Sequence, residues 1–154
     1  MKKRVNWKVF LVSLLIVYFF AFLGSLFTSS AVKTPWYESV KPSITPPNWL
    51  FPVVWTVLFF LIAVSLYLSW IYSRNKKTIA LVFGINLFLN FLWSVIYFGM
   101  RNPQIAFFEI ILLWLSILAM MSKSYKVNKT ACYLLLPYIV WVSFAAVLNY
   151  LSVF

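Results

Sequence analysis

The sequence predicts an all-α membrane protein, a bundle of five transmembrane helices with a long structured loop between helices 1 and 2. Three observations predict it. Hydrophobic residues make up 64% of the chain and charged residues only 10%, against the about 25% charged that a hydrated surface requires. Five segments stay apolar for about 20 residues, the length that crosses a hydrocarbon core. Basic residues cluster in every second loop, as they do when loops alternate between the two sides of a bilayer. The chain shows no long internal repeat and no low-complexity segment.

The first span is expected at 9–27. It follows Lys2, Lys3, Arg4 and Lys8 and ends near Ser29, Ser30 and Ala31, so it resembles a secretory signal. Its apolar run is nearly membrane-length, however, and a retained helix is expected. A loop over about 28–48 comes next. The stretch 36–55, WYESVKPSITPPNWLFPVVW, holds three of the eight tryptophans, four of the seven prolines and Glu38, one of two acids. A loop this stiff and aromatic suggests a lid over something flat and apolar. The second span, 49–72, is expected to start at an Asn48 cap after Pro46 and Pro47. Pro52 then falls in its first turn, where no helical N–H bond is lost. Spans at 79–98, 105–122 and 131–153 follow on short connections. Pro137 lies inside the last of them and should kink it.

Ten basic residues precede span one or follow spans two and four. Lys33, Lys41 and Arg101 are the three on the opposite side. That bias predicts a cytoplasmic N-terminus, an outer C-terminus and an outward-facing 28–48 loop in a bacterial cell membrane. The net charge of +11 is read as topology and attraction to anionic lipid, because the cations are scattered among apolar runs. Nucleic acid is therefore not an expected partner. The chain has no histidine and no aspartate. A Ser-His-Asp triad cannot be assembled, and the commonest metal ligand is missing. Cys132 has no partner for a disulfide or a zinc site and reads as a small apolar residue. Neither a metal nor a required cofactor is expected.

Inward stripes carry the candidate site. In the third span Asn86, Asn90, Trp93, Ser94 and Tyr97 share one helical face. Asparagine is costly against lipid tails, so this face should point into the bundle. It reads equally as interhelical glue and as the polar wall of a cavity. The fifth span places Pro137, Tyr138, Trp141, Ala145, Leu148 and Asn149 on one stripe, and small Ala145 leaves room beside the Trp141 indole. The second span adds Trp49, Trp55 and Phe59, and the fourth adds Ala106, Glu109, Ile110 and Leu113. Glu109 is the one acid within a span. It is expected to pair with Arg101 or Lys41 near the interface, with a functional role as the alternative. Trp7, Trp70 and Trp114 are assigned to interfacial belts or lipid, while Trp55, Trp93 and Trp141 are the binding candidates. Ala80 and Gly84 form a small-xxx-small pair suited to helix packing or a dimer seam.

Three blocks of residues, in order, carry a family likeness. The first is Trp36-Tyr37, Lys41-Pro42, Pro46-Pro47, Trp49, Phe51 and Trp55. The second is Asn90, Trp93-Ser94 and Tyr97-Phe98, and the third is Pro137-Tyr138, Trp141, Ala145 and Leu148-Asn149. On these the chain resembles the TspO/MBR family of tryptophan-rich sensory and translocator proteins, as one domain over 1–154. The resemblance implies a five-helix bundle, usually dimeric, whose pocket opens toward the first long loop. It implies binding of protoporphyrin IX and of benzodiazepine- and isoquinoline-carboxamide-type ligands. Carried over by position, the pocket residues are Tyr37, Pro46, Trp55, Phe59, Asn90, Trp93, Ser94, Ile110, Trp141 and Ala145.

Some bacterial relatives are reported to promote light-dependent breakdown of protoporphyrin IX. Trp55 and Trp141 match the tryptophans implicated in it. Nothing basic follows Tyr150, so the sterol-recognition pattern of animal relatives is absent. Three functions follow as expectations. A porphyrin receptor or sensor would use the tryptophan stripes for the ring and Lys33, Lys41 or Arg101 for the propionates. The lack of histidine favours a metal-free porphyrin as ligand. A photochemical porphyrin-degrading enzyme and a transporter of porphyrins or small amphiphiles are the alternatives. The expected partners are thus a tetrapyrrole, membrane lipid and a second copy of the chain.

Overall fold

The computed structural model describes residues 4–154, and the expectation for Lys2 and Lys3 lies outside the described residues. Seven α-helices follow in order: α1 Trp7–Ala31, α2 Pro35–Val40, α3 Leu50–Tyr72, α4 Lys76–Ser94, α5 Pro103–Val127, α6 Lys129–Tyr133 and α7 Leu136–Leu151. A π-helical turn, Val95–Gly99, extends α4. There is no strand among the described residues. Five spans are long and apolar enough to cross a membrane: Trp7–Ala31, Leu50–Tyr72, Lys76–Gly99, Pro103–Val127 and Lys129–Leu151. Each lies within a few residues of its expected place.

Asparagine starts four of the five spans. The side-chain oxygens of Asn6, Asn75, Asn102 and Asn128 accept the N–H groups of Val9, Thr78, Ile105 and Ala131 at 3.0–3.2 Å. Each bond satisfies one of the four donors that a helix start leaves open. The expected Asn48 cap does not form. Leu50 N–H closes a turn on Pro47 C=O at 3.0 Å, which puts Trp49 at the cap position without a side-chain cap bond. The Asn48 amide instead reaches Val32 C=O at 3.5 Å and ties the loop to the end of α1. The fifth span breaks at Leu134–Leu135, and Pro137 sits in the first turn of α7, where its missing N–H costs nothing. Cys132 is buried within α6.

α1 packs against α3 and α4, and α5 packs against α4 and α7. The main core runs through Val17, Ile62, Phe83, Ile110, Ile117 and Val142. At one end the Asn6 N–H donates to the Tyr67 hydroxyl at 3.1 Å. Buried serines lock the same region: Ser65 Oγ donates to Ala131 C=O at 2.7 Å, and Ser69 Oγ to Ser124 Oγ at 3.0 Å. Alternation of the spans gathers the described basic residues around the start of α1, the α3–α4 connection and the end of α5 at that end. Lys33, Lys41 and Arg101 fall at the other. Large apolar side chains such as Leu15, 71% exposed, and Val140, 67% exposed, face outward. In water such a surface would aggregate, whereas in lipid it is the ordinary solvent-facing surface.

The π turn was not foreseen. Met100 N–H bonds to Val95 C=O at 2.8 Å, and Asn102 N–H to Ile96 C=O at 3.1 Å. The wider turn buries Ile96, Tyr97 and Phe98 consecutively, and π turns of this kind occur mostly as single turns within α-helices. Arg101 then takes a left-handed φ of 51° to redirect the chain into α5. Gly99 fits closely there, because a Cβ would lie 2.7 Å from Phe27 Cδ1 of α1 and would force that ring to move. A second, smaller core forms around the π turn from Ala31, Tyr37, Tyr97, Phe98 and Ala106. It sits beneath the segment between α1 and α3.

Candidate ligand-binding site

The asparagine face of α4 turns into the bundle and is largely committed to other helices. Asn86 Nδ2 donates to Ser116 Oγ of α5 at 2.8 Å, and its oxygen accepts the Tyr138 hydroxyl of α7 at 3.1 Å. One turn on, Asn90 Nδ2 donates to the Tyr138 oxygen at 3.1 Å. Trp93 Nε1 donates to Asn149 Oδ1 at 3.0 Å, and Asn149 Nδ2 donates to Pro103 C=O at 2.7 Å. Tyr97 and Ser152 share a hydrogen bond of 2.9 Å. The result is a polar ladder along the α4–α5–α7 seam. The interhelical-glue reading therefore describes Asn86, Trp93 and Tyr97. Asn90 is half-buried, and among the described residues its carbonyl oxygen accepts no hydrogen bond.

An aromatic cluster lies beside the ladder, between α3 and α7. Trp55 stacks on Phe59 at 5.4 Å and 30°, and meets Tyr138 edge-on at 6.2 Å. Trp141 packs against Phe51 at 5.8 Å and Phe144 at 5.6 Å. Ala145, one turn after Trp141, and fully buried Ile110 belong to the same core. Tyr18 of α1 closes the side toward Phe59 at 6.4 Å, and its hydroxyl donates to Thr56 C=O at 2.8 Å. The structure thus brings Trp55, Phe59, Asn90, Trp93, Ile110, Trp141 and Ala145 together.

Three expected pocket residues lie apart. Tyr37 sits in the second core, 5.9 Å from Phe98. Trp93 joins the two cores by stacking on Tyr97 at 5.0 Å. Ser94 faces α1, where a Cβ on Gly24 would lie 3.3 Å from its Oγ. It falls one residue after Trp93, which turns it toward the neighbouring helix rather than the cluster. Pro46 lies half-buried in the loop before α3.

Further expectations need correction. Glu109 makes no ion pair among the described residues: Lys41 bonds to Glu38 at 2.9 Å, and Arg101 lies over the Trp36 ring at 5.8 Å. Glu109 is 6% exposed, and among the described residues neither of its oxygens has a hydrogen-bond partner. It falls nearly two turns into α5, on the buried stripe with Ala106, Ile110 and Leu113. Trp114 is not simply a lipid-facing residue, since its Nε1 donates to Ser143 Oγ at 2.8 Å. Trp7, 65% exposed, does face outward. Ala80 and Gly84 also face outward, and a Cβ on Gly84 would meet nothing within 4 Å. Sequence reasoning missed Ser116, Ser143 and Ser152 as partners. The available signal was a hydroxyl amid apolar residues of α5 or the α7 stripe, opposite an inward amide, indole or phenol.

One buried indole stands out. Trp141 Nε1 has no hydrogen-bond partner among the described residues, whereas Trp93 and Trp114 each donate across a helix interface. A buried donor left unpaired costs about 1–3 kcal/mol. It therefore marks a place where a ligand's acceptor would be favoured.

The fold and site define an integral membrane protein of five spans with an aromatic, asparagine-edged interior beneath a folded inter-helix segment. The chain belongs to the TspO/MBR family, which matches residues 12–153. It is similar to the tryptophan-rich protein TspO of Archaeoglobus fulgidus, at 43% identity over 140 residues covering 90% of each chain. A tryptophan-rich protein TspO of Chlorobaculum tepidum is 42% identical over 132 residues, covering 84% of each. The translocator protein of Ovis aries is 32% identical over 120 residues, covering 75% of this chain and 71% of that one.

Two outcomes follow from this geometry. Tyr138→Phe removes a hydroxyl that serves both Asn86 and Asn90, and should lower stability by about 1–2 kcal/mol. Unfolding titrations in mixed micelles check this, with exposed Tyr133→Phe expected to change little. The second outcome concerns pH. Burial, with Tyr97 and Glu38 adding to it, pushes the Tyr37 phenol up to about 12. Tyrosine in an unfolded chain titrates near 10, so Tyr37 stabilises the segment fully below about pH 10. That stabilisation is lost as pH rises toward about 12. Proteolysis of the α2 segment should accelerate over this window, and Tyr37→Phe should flatten the part of the rise due to this phenol.

Proposed function

We propose that the protein is a membrane receptor or sensor for flat amphiphilic tetrapyrroles, with protoporphyrin IX as the leading ligand. Benzodiazepine- and isoquinoline-carboxamide-type compounds would enter the same site. The observation that carries this reading is the unpaired, buried Nε1 of Trp141 amid aromatic rings. Its donor suits a carboxylate or carbonyl on a ligand whose planar body stacks on indole. The Trp55–Phe59 stack fills the space beside Tyr138, so a ring system would enter by separating these side chains. The half-buried Asn90 carbonyl offers an acceptor at the edge of the cluster.

Lys33 and Arg101 lie at the loop end of the bundle, where they suit propionate groups. With no histidine in the chain, a metal-free porphyrin is the better match than tightly ligated haem. The described cations gathered at the other end support a cytoplasmic N-terminus by the positive-inside rule. The outward Ala80 and Gly84 pair suits a homodimer seam.

Titration of intrinsic fluorescence with protoporphyrin IX in detergent tests the reading. Saturable quenching is expected, with affinity weakened about tenfold by Trp141→Phe and unchanged by Trp7→Phe. Linear quenching, equal in both variants, would mean partition into the micelle and would overturn it.

A further inference from the structure

A cleft of about 450 Å³ opens at the basic end of the bundle, between the start of α1 and the end of α3. Arg4, Asn6, Tyr67, Trp70, Ile71 and Lys76 line it, with Val9 at its inner edge. The Lys76 ammonium lies 5.5 Å above the Trp70 ring and donates to the Trp70 carbonyl. One such bond leaves two of its three N–H donors available. The buried Tyr67 hydroxyl accepts the Asn6 N–H, so its own proton is left to donate. Arg4 adds a guanidinium suited to two oxygens of one phosphate. No carboxylate competes here, because the chain's two acids, Glu38 and Glu109, lie toward the other end of the bundle.

The rest of the cleft is apolar, formed by Val9, Ile71 and the Trp70 ring. A second hollow, an apolar groove of about 710 Å³, runs along α1 deeper in the span and includes Ile16 and Phe20. These two residues lie seven and eleven positions after Val9, on the same helical face, and Leu15, Phe19 and Phe22 carry the groove round to the outward side of α1. At 1.5 Å per residue Ile16 and Phe20 are about 10–17 Å from Val9 along the axis. Ile16 therefore lies within one leaflet of a hydrocarbon core about 30 Å thick, and Phe20 near its midplane.

We propose that this cleft binds the phosphate of an anionic phospholipid, with one acyl chain lying in the groove along α1. The cations and the Tyr67 hydroxyl recognise the phosphate ester. The apolar walls and the groove select the lipid over a soluble phosphate. The site is separate from the aromatic cluster and does not depend on what that cluster binds.

The test is native mass spectrometry of full-length protein extracted from bilayers of equal phosphatidylglycerol and phosphatidylcholine. Phosphatidylglycerol should be retained about tenfold over phosphatidylcholine. Arg4→Gln with Lys76→Gln should bring the ratio close to one. Lys8→Gln with Lys77→Gln, an equal loss of charge outside the cleft, should leave the preference in place. Equal loss in both double variants would mean general surface attraction and overturn the site. Displacement of the retained lipid by soluble glycerol phosphate would show a site for free phosphate esters and overturn the lipid assignment.

Discussion

Lipid offers no hydrogen bonds, so each polar side chain inside this bundle has to find its partner in the protein. That constraint organises α4, α5 and α7. Asn86, Asn90 and Trp93 of α4 meet Ser116 of α5 and Tyr138 and Asn149 of α7. Asn149 in turn holds the start of α5 through Pro103 C=O. Apolar packing alone would let these helices slide or rotate, since lipid tails are as apolar as leucine. Directional bonds at three levels of the seam fix their register. Because nearly all inward polar groups are satisfied this way, the exceptions at Trp141 and Glu109 stand apart from the frame.

The frame also shapes the region under the inter-helix segment. The π turn brings Tyr97 inward to Ser152 and stacks it on Trp93. Phe98 then meets Tyr37 of α2, and Trp36 packs on Tyr97 beneath Arg101. A continuous run of rings thus links α2 to the end of α4, and Trp93 connects that run to the main core. Trp93 packs against both cores and so stands between α2 and the aromatic cluster. The exposed Lys41–Glu38 pair contributes little to this, as surface ion pairs generally do.

The spans were legible because each is a long apolar run that lipid requires, and their ends were legible because charge and asparagine stop there. The inward face of α4 was legible because the spacing of Asn86, Asn90 and Trp93 has helical period. Features that depend on another helix were not. The π turn arises where Gly99 meets Phe27 of α1, a contact no local pattern announces. Ser94 was assigned to the same stripe as Trp93, yet the gap at Gly24 draws it to α1. Glu109 was expected to reach a loop cation, but its place on the Ala106–Leu113 stripe keeps it inside. Asn48 lost its cap role to the turn set by Pro46 and Pro47. Trp141 was chosen from its position on the α7 stripe. That its indole nitrogen lacks a partner became visible only with all the surrounding helices in place.

The polar groups that hold the frame differ from Trp141, whose buried Nε1 is left unpaired among the described residues. Indole N–H signals in a tryptophan-labelled nuclear magnetic resonance spectrum separate the two directly. Without ligand, the Trp93 and Trp114 protons should exchange slowly and lie at hydrogen-bonded shifts, and the Trp141 proton should not lie at a hydrogen-bonded shift. On addition of protoporphyrin IX the Trp141 signal should move toward a hydrogen-bonded shift, while Trp93 and Trp114 keep their bonds. A Trp141 signal already at a hydrogen-bonded shift without ligand, or one indifferent to saturating porphyrin, would contradict the account.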